Sequence, residues 1–115
     1  MKKLLDSFKY AFQGIIYSFQ TQRNIRIHFL IAIIVLILGI YVRLDNIEWA
    51  LILLTISIVV TGEMINTAIE KTIDLVTEEY KLLAKIAKDV AAGAVLISSI
   101  ASVIIGLLVF WKKII

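Results

Sequence analysis

Residues 2–20 place apolar side chains along one side of a predicted helix. At about 100° per residue these side chains fall within an arc of roughly 140°; they are Leu4, Leu5, Phe8, Ala11, Phe12, Ile15, Ile16 and Phe19. The opposite side carries Lys2, Asp6, Lys9 and Gln13. This pattern is typical of a helix that lies in the membrane interface, and the alternative is a core-facing helix of a soluble bundle. No secretory signal is predicted, because the apolar residues are interrupted.

Three long apolar segments follow, and each is suited to cross a bilayer as a helix. They comprise residues 27–42, 47–65 and 90–111, and the helical periodicity of the second continues through Asp74. Residues 43–46 form a tight polar connection, and residues 75–89 form the main one. The predicted fold is an all-α membrane protein with a single domain over residues 1–115. It has a surface helix at about 2–20 and transmembrane helices at about 26–43, 47–74 and 88–111.

Composition supports a membrane protein and excludes several kinds of site. Hydrophobic residues make up 61% of the chain, whereas soluble domains have roughly 45–50% apolar residues. Cysteine is absent, which excludes disulfides and thiolate metal sites. The glycine-rich phosphate-binding loops of soluble nucleotide folds are also absent, and no nucleic-acid partner is predicted.

Basic residues predict the orientation in the membrane. Nine of them flank the first predicted span on its N-terminal side or lie between the second and third spans: Lys2, Lys3, Lys9, Arg23, Arg26, Lys71, Lys81, Lys85 and Lys88. The other side holds three, Arg43, Lys112 and Lys113. Because basic residues favour the cytoplasmic side, the N-terminus and the connection at 75–89 are predicted to be cytoplasmic.

Small residues recur every seven positions in the last third of the chain. One row comprises Ala84, Ala91 and Ser98, and a second comprises Ala87, Ala94 and Ala101. Small side chains let helices approach closely inside a bilayer. The rows therefore predict close helix packing, either within the chain or with a second protomer.

The sequence places oxygen-bearing side chains directly after the second apolar run. On a helix they share a stripe of about 100°, and they are Glu63, Asn66, Thr67, Glu70 and Asp74. Carboxylate and amide oxygens are ligands that Mg²⁺ accepts together with water and phosphate oxygens. A remaining carboxylate can accept a proton from a hydroxyl. The stripe therefore predicts phosphoryl transfer to an alcohol.

Simpler explanations exist for part of this stripe. Its acids can pair with Lys85 and Lys88 or face water, which is the favoured interpretation for Asp74. Asp89 can either bond a base or cap the helix that follows. The only histidine, His28, lies near a helix start, where a structural hydrogen bond is favoured over catalysis.

Two stretches resemble a known family. The segments "GEMINTAIEKTIDL" and "LAKIAKDVAAGAVL" are similar to the signature of the small bacterial membrane lipid kinases, the diacylglycerol kinase family. The stretches "QRNIRIH", "IEW" and "IIGLLVF" most resemble its Gram-positive undecaprenol kinase branch. The resemblance implies a homotrimer with shared active sites at the cytoplasmic membrane face, which uses ATP and Mg²⁺ to phosphorylate a lipid alcohol.

The resemblance also implies roles for individual residues. By position in the motif, Glu63 matches the catalytic base with Asn66 beside it, and Glu70 matches the metal ligand. Positions that contact the nucleotide are matched by Tyr10, Glu70, Glu79, Tyr80, Lys88 and Asp89. The lipid-contacting region is matched by Asn24, Arg26, His28 and Trp49, together with Glu63.

One position departs from the family pattern. Gln22 stands where the family usually has a glutamate that shares the metal with the second glutamate of the motif. An amide carries no charge and is a weaker ligand, so the resemblance implies a lower metal affinity.

The predicted function is ATP- and Mg²⁺-dependent phosphorylation of undecaprenol in the bacterial plasma membrane. The alternative acceptor is diacylglycerol. A small proton-coupled transporter is a more remote alternative, since an intramembrane glutamate can carry protons. A further alternative is a non-catalytic assembly subunit, but this function would not explain the presence of Glu63, Asn66 and Glu70.

Overall fold

The computed structural model describes all 115 residues as four helices with short connections. They are α1 (Lys2–Thr21), α2 (Arg23–Tyr41), α3 (Asn46–Val76) and α4 (Leu82–Ile114). The helices α2, α3 and α4 are long and apolar enough to cross a membrane. The prediction of an all-helical chain with three such helices is therefore confirmed.

Several helix boundaries differ from those expected, most of all the start of α4. The connection expected at residues 75–89 is confined to residues 77–81, because α3 ends at Val76 and α4 begins at Leu82. The extra turns of α4 are stabilised by an i,i+4 ion pair, in which Lys85 Nζ lies 2.6 Å from Asp89 Oδ2. The α2 helix begins at Arg23, several residues earlier than the apolar run indicates.

A sharp corner separates α1 from α2 at Gln22, whose backbone is extended. The guanidinium of Arg26 donates hydrogen bonds to the carbonyl oxygens of Phe19 and Gln20 at 3.1 and 2.9 Å. These carbonyls belong to the last turn of α1 and have no partner within the helix. The rings of Phe19 and Phe29 also meet edge to face, with centroids 5.6 Å apart. The corner is therefore held by contacts from both helices.

The α2–α3 connection is closed by a capping box. Asp45 Oδ1 accepts a hydrogen bond from the Glu48 backbone N–H at 2.9 Å, and Glu48 Oε1 accepts one from the Asp45 N–H at 3.0 Å. The bond from the Glu48 backbone lowers the pKa of Asp45 below its ordinary value. Glu48 also lies 3.0 Å from Lys113 Nζ. This ion pair joins the start of α3 to the end of α4.

The packing core is small and lies mainly between α3 and α4. Only 12 of the 115 residues are buried, so most apolar side chains point outward, as expected for a chain surrounded by lipid or by other helices. Leu44, Ile52 and Val109 form the central cluster, with Trp49 packed against it. Ser102 Oγ also bonds to the Thr55 carbonyl across the two helices at 3.4 Å.

The small-residue rows differ in exposure. Ala84, Ala91 and Ser98 are half-buried, whereas Ala87, Ala94 and Ala101 are exposed. The first row thus lies on the partly covered side of α4. The second row stays free of contact within the chain.

Gly39 lies near the C-terminal end of α2 and allows α2 and α3 to approach closely there. A Cβ atom at this position would lie 2.7 Å from Trp49 Cη2 and 2.9 Å from Leu44 Cδ1. Because the added methyl group would overlap the indole ring and the Leu44 side chain unless these groups shift, we predict that Gly39→Ala lowers the free energy of unfolding by about 1–3 kcal/mol. Reversible unfolding in detergent measures the difference. Gly93→Ala is the matched control, since nothing lies within 4 Å of its added methyl group; equal stability of the two variants would contradict the prediction.

Candidate active site

Glu63 is a buried carboxylate on the packed side of α3. It is 6% exposed, and Thr67, one turn later, is 5% exposed. The Thr67 hydroxyl donates to the Glu63 carbonyl oxygen at 2.9 Å. His28 approaches from α2, with Nε2 3.5 Å from Glu63 Oε1. A carboxylate at membrane depth costs at least ~2.5 kcal/mol on insertion scales, so its burial points to a function.

Asn66 and Glu70 form the next part of the stripe. The Asn66 amide Nδ2 donates to Glu70 Oε1 at 3.1 Å. This bond leaves Asn66 Oδ1 buried without a hydrogen-bond partner. An unpartnered buried oxygen is rare in proteins and calls for an explanation, such as a ligand.

The oxygen donors of Asn66 and Glu70 fit a hard cation. Mg²⁺ keeps several waters and binds through one or two carboxylates plus phosphate oxygens, so this pair supplies what the protein must contribute. No group of three histidine, aspartate or glutamate residues in the chain is arranged to enclose a metal. The arrangement therefore suits Mg²⁺ that arrives with phosphate and not a site built from protein ligands alone.

The acidic end of α3 is joined to α4 by one ion pair. Lys88 Nζ lies 2.7 Å from Asp74 Oδ1. The interpretation that the stripe merely pairs with Lys85 and Lys88 thus holds for Asp74, while Lys85 pairs with Asp89 on its own helix. The option that Asp89 caps α4 is wrong, because the N-cap is Lys81 and Asp89 lies two turns inside the helix.

A polar cavity of about 330 Å³ lies where α3 ends and α4 begins. It is lined by residues from the connection and the first turns of α4: Thr77, Glu78, Glu79, Tyr80, Lys81, Ala84, Lys85, Lys88 and Asp89. Four predicted nucleotide contacts, Glu79, Tyr80, Lys88 and Asp89, therefore share one cavity. Tyr10 is exposed on α1 and does not line it.

An apolar groove of about 520 Å³ runs between α2, α3 and α4. His28 lies at its α2 N-terminal end, Val59 and Val60 come from α3, and Gly106 and Phe110 line the part toward the end of α4. Sequence reasoning missed this groove, since no local pattern shows which apolar faces leave space between them.

The remaining predicted site residues lie elsewhere. Asn24 is exposed near the start of α2, and Arg26 bonds to the end of α1. Trp49 packs against Gly39 at the opposite end of α2 from His28. Gln22 is half-buried at the α1–α2 corner, and its side-chain amide donates to Thr21 Oγ1 at 3.3 Å. No hydrogen bond joins Gln22 to Glu70.

Comparison with known proteins shows the family of the chain. The model of the family described as prokaryotic diacylglycerol kinase matches residues 9–110. The chain belongs to the prokaryotic diacylglycerol kinase family. The predicted resemblance and the predicted enzyme class, a lipid kinase, are thereby confirmed.

Curated members of the prokaryotic diacylglycerol kinase family match over nearly the whole chain. The undecaprenol kinase of Bacillus subtilis (strain 168) is 45% identical over 113 residues, which cover 98% of this chain and 92% of the relative. A diacylglycerol kinase of Synechocystis sp. is 48% identical over 104 residues, 90% of this chain and 59% of the longer relative. A diacylglycerol kinase of Escherichia coli (strain K12) is 25% identical over 110 residues, 96% of this chain and 90% of the relative.

Proposed function

We propose that the protein phosphorylates undecaprenol with ATP in the presence of Mg²⁺, at the cytoplasmic face of the bacterial plasma membrane. The observation that carries this proposal is the order of groups along α3. The buried Glu63 comes first, the Asn66–Glu70 pair follows, and the Asp74–Lys88 pair lies nearest the polar cavity. From Glu63 to Asp74 this order covers about 16 Å along the axis.

Each part of this order has a chemical role in phosphoryl transfer. Glu63 accepts the proton of the lipid hydroxyl as the alcohol oxygen bonds to the γ-phosphorus and the bond from that phosphorus to the leaving β-phosphate oxygen breaks. Asn66 and Glu70 would hold Mg²⁺, which would supply positive charge near the phosphate oxygens. Lys88 offsets the charge that develops during transfer, and Asp74 holds it in place at 2.7 Å.

The nucleotide occupies the polar cavity in this proposal. Glu79, Tyr80, Lys88 and Asp89 line that cavity. Glu70 would hold the Mg²⁺ that accompanies the nucleotide, and the proposal keeps Tyr10 of α1, which does not line this cavity, as a further nucleotide contact. The mixture of carboxylates, lysines and a tyrosine ring provides contacts to ribose, phosphate and base.

The lipid acceptor is undecaprenol, with diacylglycerol as the alternative. The apolar groove that begins at His28 gives the chain of such a lipid a route to Glu63. The relative from Bacillus subtilis is named an undecaprenol kinase, which supports the first acceptor. The relative from Synechocystis is named a diacylglycerol kinase, which supports the second. Asn24 and Trp49 are kept as lipid contacts outside the groove, whereas the Arg26 guanidinium is engaged by the carbonyl oxygens of Phe19 and Gln20.

Exposure along α1 and α4 supports the proposed assembly. Leu4, Phe8 and Phe12 on α1 are each more than half exposed, so this apolar face is free to rest on the membrane. The exposed row of Ala87, Ala94 and Ala101 on α4 is free to pack against a second protomer. We therefore retain the homotrimer, with Glu63 on the cytoplasmic side.

We predict that Glu63→Gln lowers phosphate transfer at least about a hundredfold, because loss of a general base removes a factor of 10²–10⁴. Transfer from labelled ATP to lipid in mixed micelles measures it, and thermal unfolding in detergent checks that the variant folds. Asp6→Asn is the matched control, since Asp6 is an exposed carboxylate on α1. A Glu63→Gln variant that keeps most of its phosphate transfer would refute the role of Glu63 as the general base.

We predict that undecaprenol is labelled faster than diacylglycerol when the two are offered separately at equal mole fraction. The chemistry is the same for both alcohols, so the ratio of their kcat/KM values measures how each chain fits the protein. A higher value for diacylglycerol would keep the mechanism and change the acceptor. Label on neither lipid would contradict the kinase.

We predict that Gln22→Glu lowers the Mg²⁺ concentration that gives half-maximal activity. A carboxylate adds a negative charge and a stronger oxygen ligand for Mg²⁺ than the amide it replaces. The measurement is a Mg²⁺ titration at saturating ATP and lipid, with Gln20→Glu as the control for added charge at the same corner. An unchanged Mg²⁺ requirement would show that residue 22 does not reach the metal.

A further inference from the structure

The Glu63 carboxylate has one polar neighbour from another helix. Within 4 Å its only basic partner is His28, whose Nε2 lies 3.5 Å from Oε1. The Glu63 side chain is 8% exposed and that of His28 is 22% exposed. No hydrogen bond from any other group of the protein reaches the carboxylate oxygens.

Packing on both helices fixes the register of this contact. On α2, Ile25 and Ala32 lie three positions before and four after His28, and they are 1% and 7% exposed. On α3, Val59 and Thr67 lie one turn on each side of Glu63, and they are 6% and 5% exposed. Because residues three or four apart share one side of a helix, these neighbours hold His28 and Glu63 opposite each other.

A carboxylate that acts as a base needs a fixed orientation. Free rotation about its last bond would let either oxygen turn away from the hydroxyl, and catalytic bases are commonly oriented by a third group. Before substrate binds, such contacts are often long and shorten in the reacting complex. His28 Nε2 and Glu63 Oε1 are 3.5 Å apart, and a small change of side-chain rotamer is enough to bring them to hydrogen-bond distance.

We propose that His28 is the positioning residue for Glu63, which rests on the proposed function. In its tautomer with hydrogen on Nε2, His28 donates to Glu63 Oε1 and leaves Oε2 directed at the lipid hydroxyl. A neutral donor orients the carboxylate with little loss of basicity, whereas a full positive charge would stabilise the ionised form and weaken the base. The required property is therefore the N–H donor and not a charge.

Two substitutions at His28 test whether catalysis depends on the N–H donor of the imidazole or on its volume and charge. His28→Gln keeps an N–H donor at about the reach of Nε2 but cannot become a cation. His28→Phe keeps an aromatic ring without any donor. We expect His28→Phe to lower kcat roughly ten- to hundredfold, the loss caused by a misplaced reacting group. We expect His28→Gln to keep kcat near the wild-type value, and both variants to keep the KM value for ATP.

The assay is phosphate transfer in mixed micelles with lipid and ATP varied independently. Ile33→Ala is the control for a change on α2, because Ile33 is exposed and does not line the groove. Thermal unfolding in detergent accompanies each variant, and a His28→Phe protein that unfolds early is replaced by His28→Leu. Glu63→Gln is measured in parallel.

The outcomes distinguish this inference from the function on which it rests. Loss of kcat in His28→Phe with recovery in His28→Gln supports the positioning role. Equal loss in both variants, or no loss in either, overturns it while the inactivity of Glu63→Gln leaves the kinase proposal intact. A rise in the lipid KM alone would also overturn it, since His28 would then contact the lipid. Phosphate transfer by Glu63→Gln would instead remove the general-base role of Glu63, on which this inference rests.

Discussion

The buried carboxylate of Glu63 is the constraint on which the organisation of the chain depends. Such a group is expensive to desolvate, and it follows directly after an apolar run. The protein places it on the packed side of α3, against His28 of α2, and continues the same helix for three more turns of polar residues. The unbroken helix converts a sequence spacing into a fixed order of groups, which in the proposed function are the base, the metal donors and the lysine pair.

The two ends of the bundle serve different purposes. At the α2–α3 connection, polar groups are mutually satisfied by the Asp45–Glu48 capping box and by the Glu48–Lys113 ion pair. At the other end, Asn66 Oδ1 is buried without a partner, and the Glu63 carboxylate has His28 Nε2 at 3.5 Å as its only basic neighbour. Buried polar groups without a partner lower the stability of a fold, but they are available to bind a ligand. The polar groups at the α2–α3 connection therefore contribute to stability, whereas those at the Asn66 end are available for ligand binding.

The small core also bears on how the protein functions. With few buried residues, a single chain presents most of its apolar surface outward. Inside a bilayer this apolar surface does not destabilise the protein, because lipid is itself apolar and helices associate there through close packing and not through the hydrophobic effect. The groove beside His28 and the exposed alanine row on α4 are both consequences of this loose packing. The first accommodates a lipid chain and the second a neighbouring protomer in the function proposed above.

Helical periodicity alone determined the number and type of helices in this protein. Long apolar runs without proline leave few alternatives to membrane-crossing helices, and the spacing of Glu63, Asn66, Glu70 and Asp74 on one helix needs no tertiary information. Boundaries were less secure: residues 82–89 are polar enough to suggest a connection, but the Lys85–Asp89 pair makes them the first turns of α4.

Only the tertiary structure decided which of these polar groups meet across helices. The contacts of His28 with Glu63 and of Lys88 with Asp74 join residues 35 and 14 positions apart. No local pattern encodes such pairs, because they depend on the register in which α2 and α4 pack on α3. The same limit applies to Arg26. The resemblance implies that it contacts lipid, yet its guanidinium bonds to carbonyl oxygens at the end of α1. Local spacing specified the chemistry available on each helix, and packing determined which groups act together.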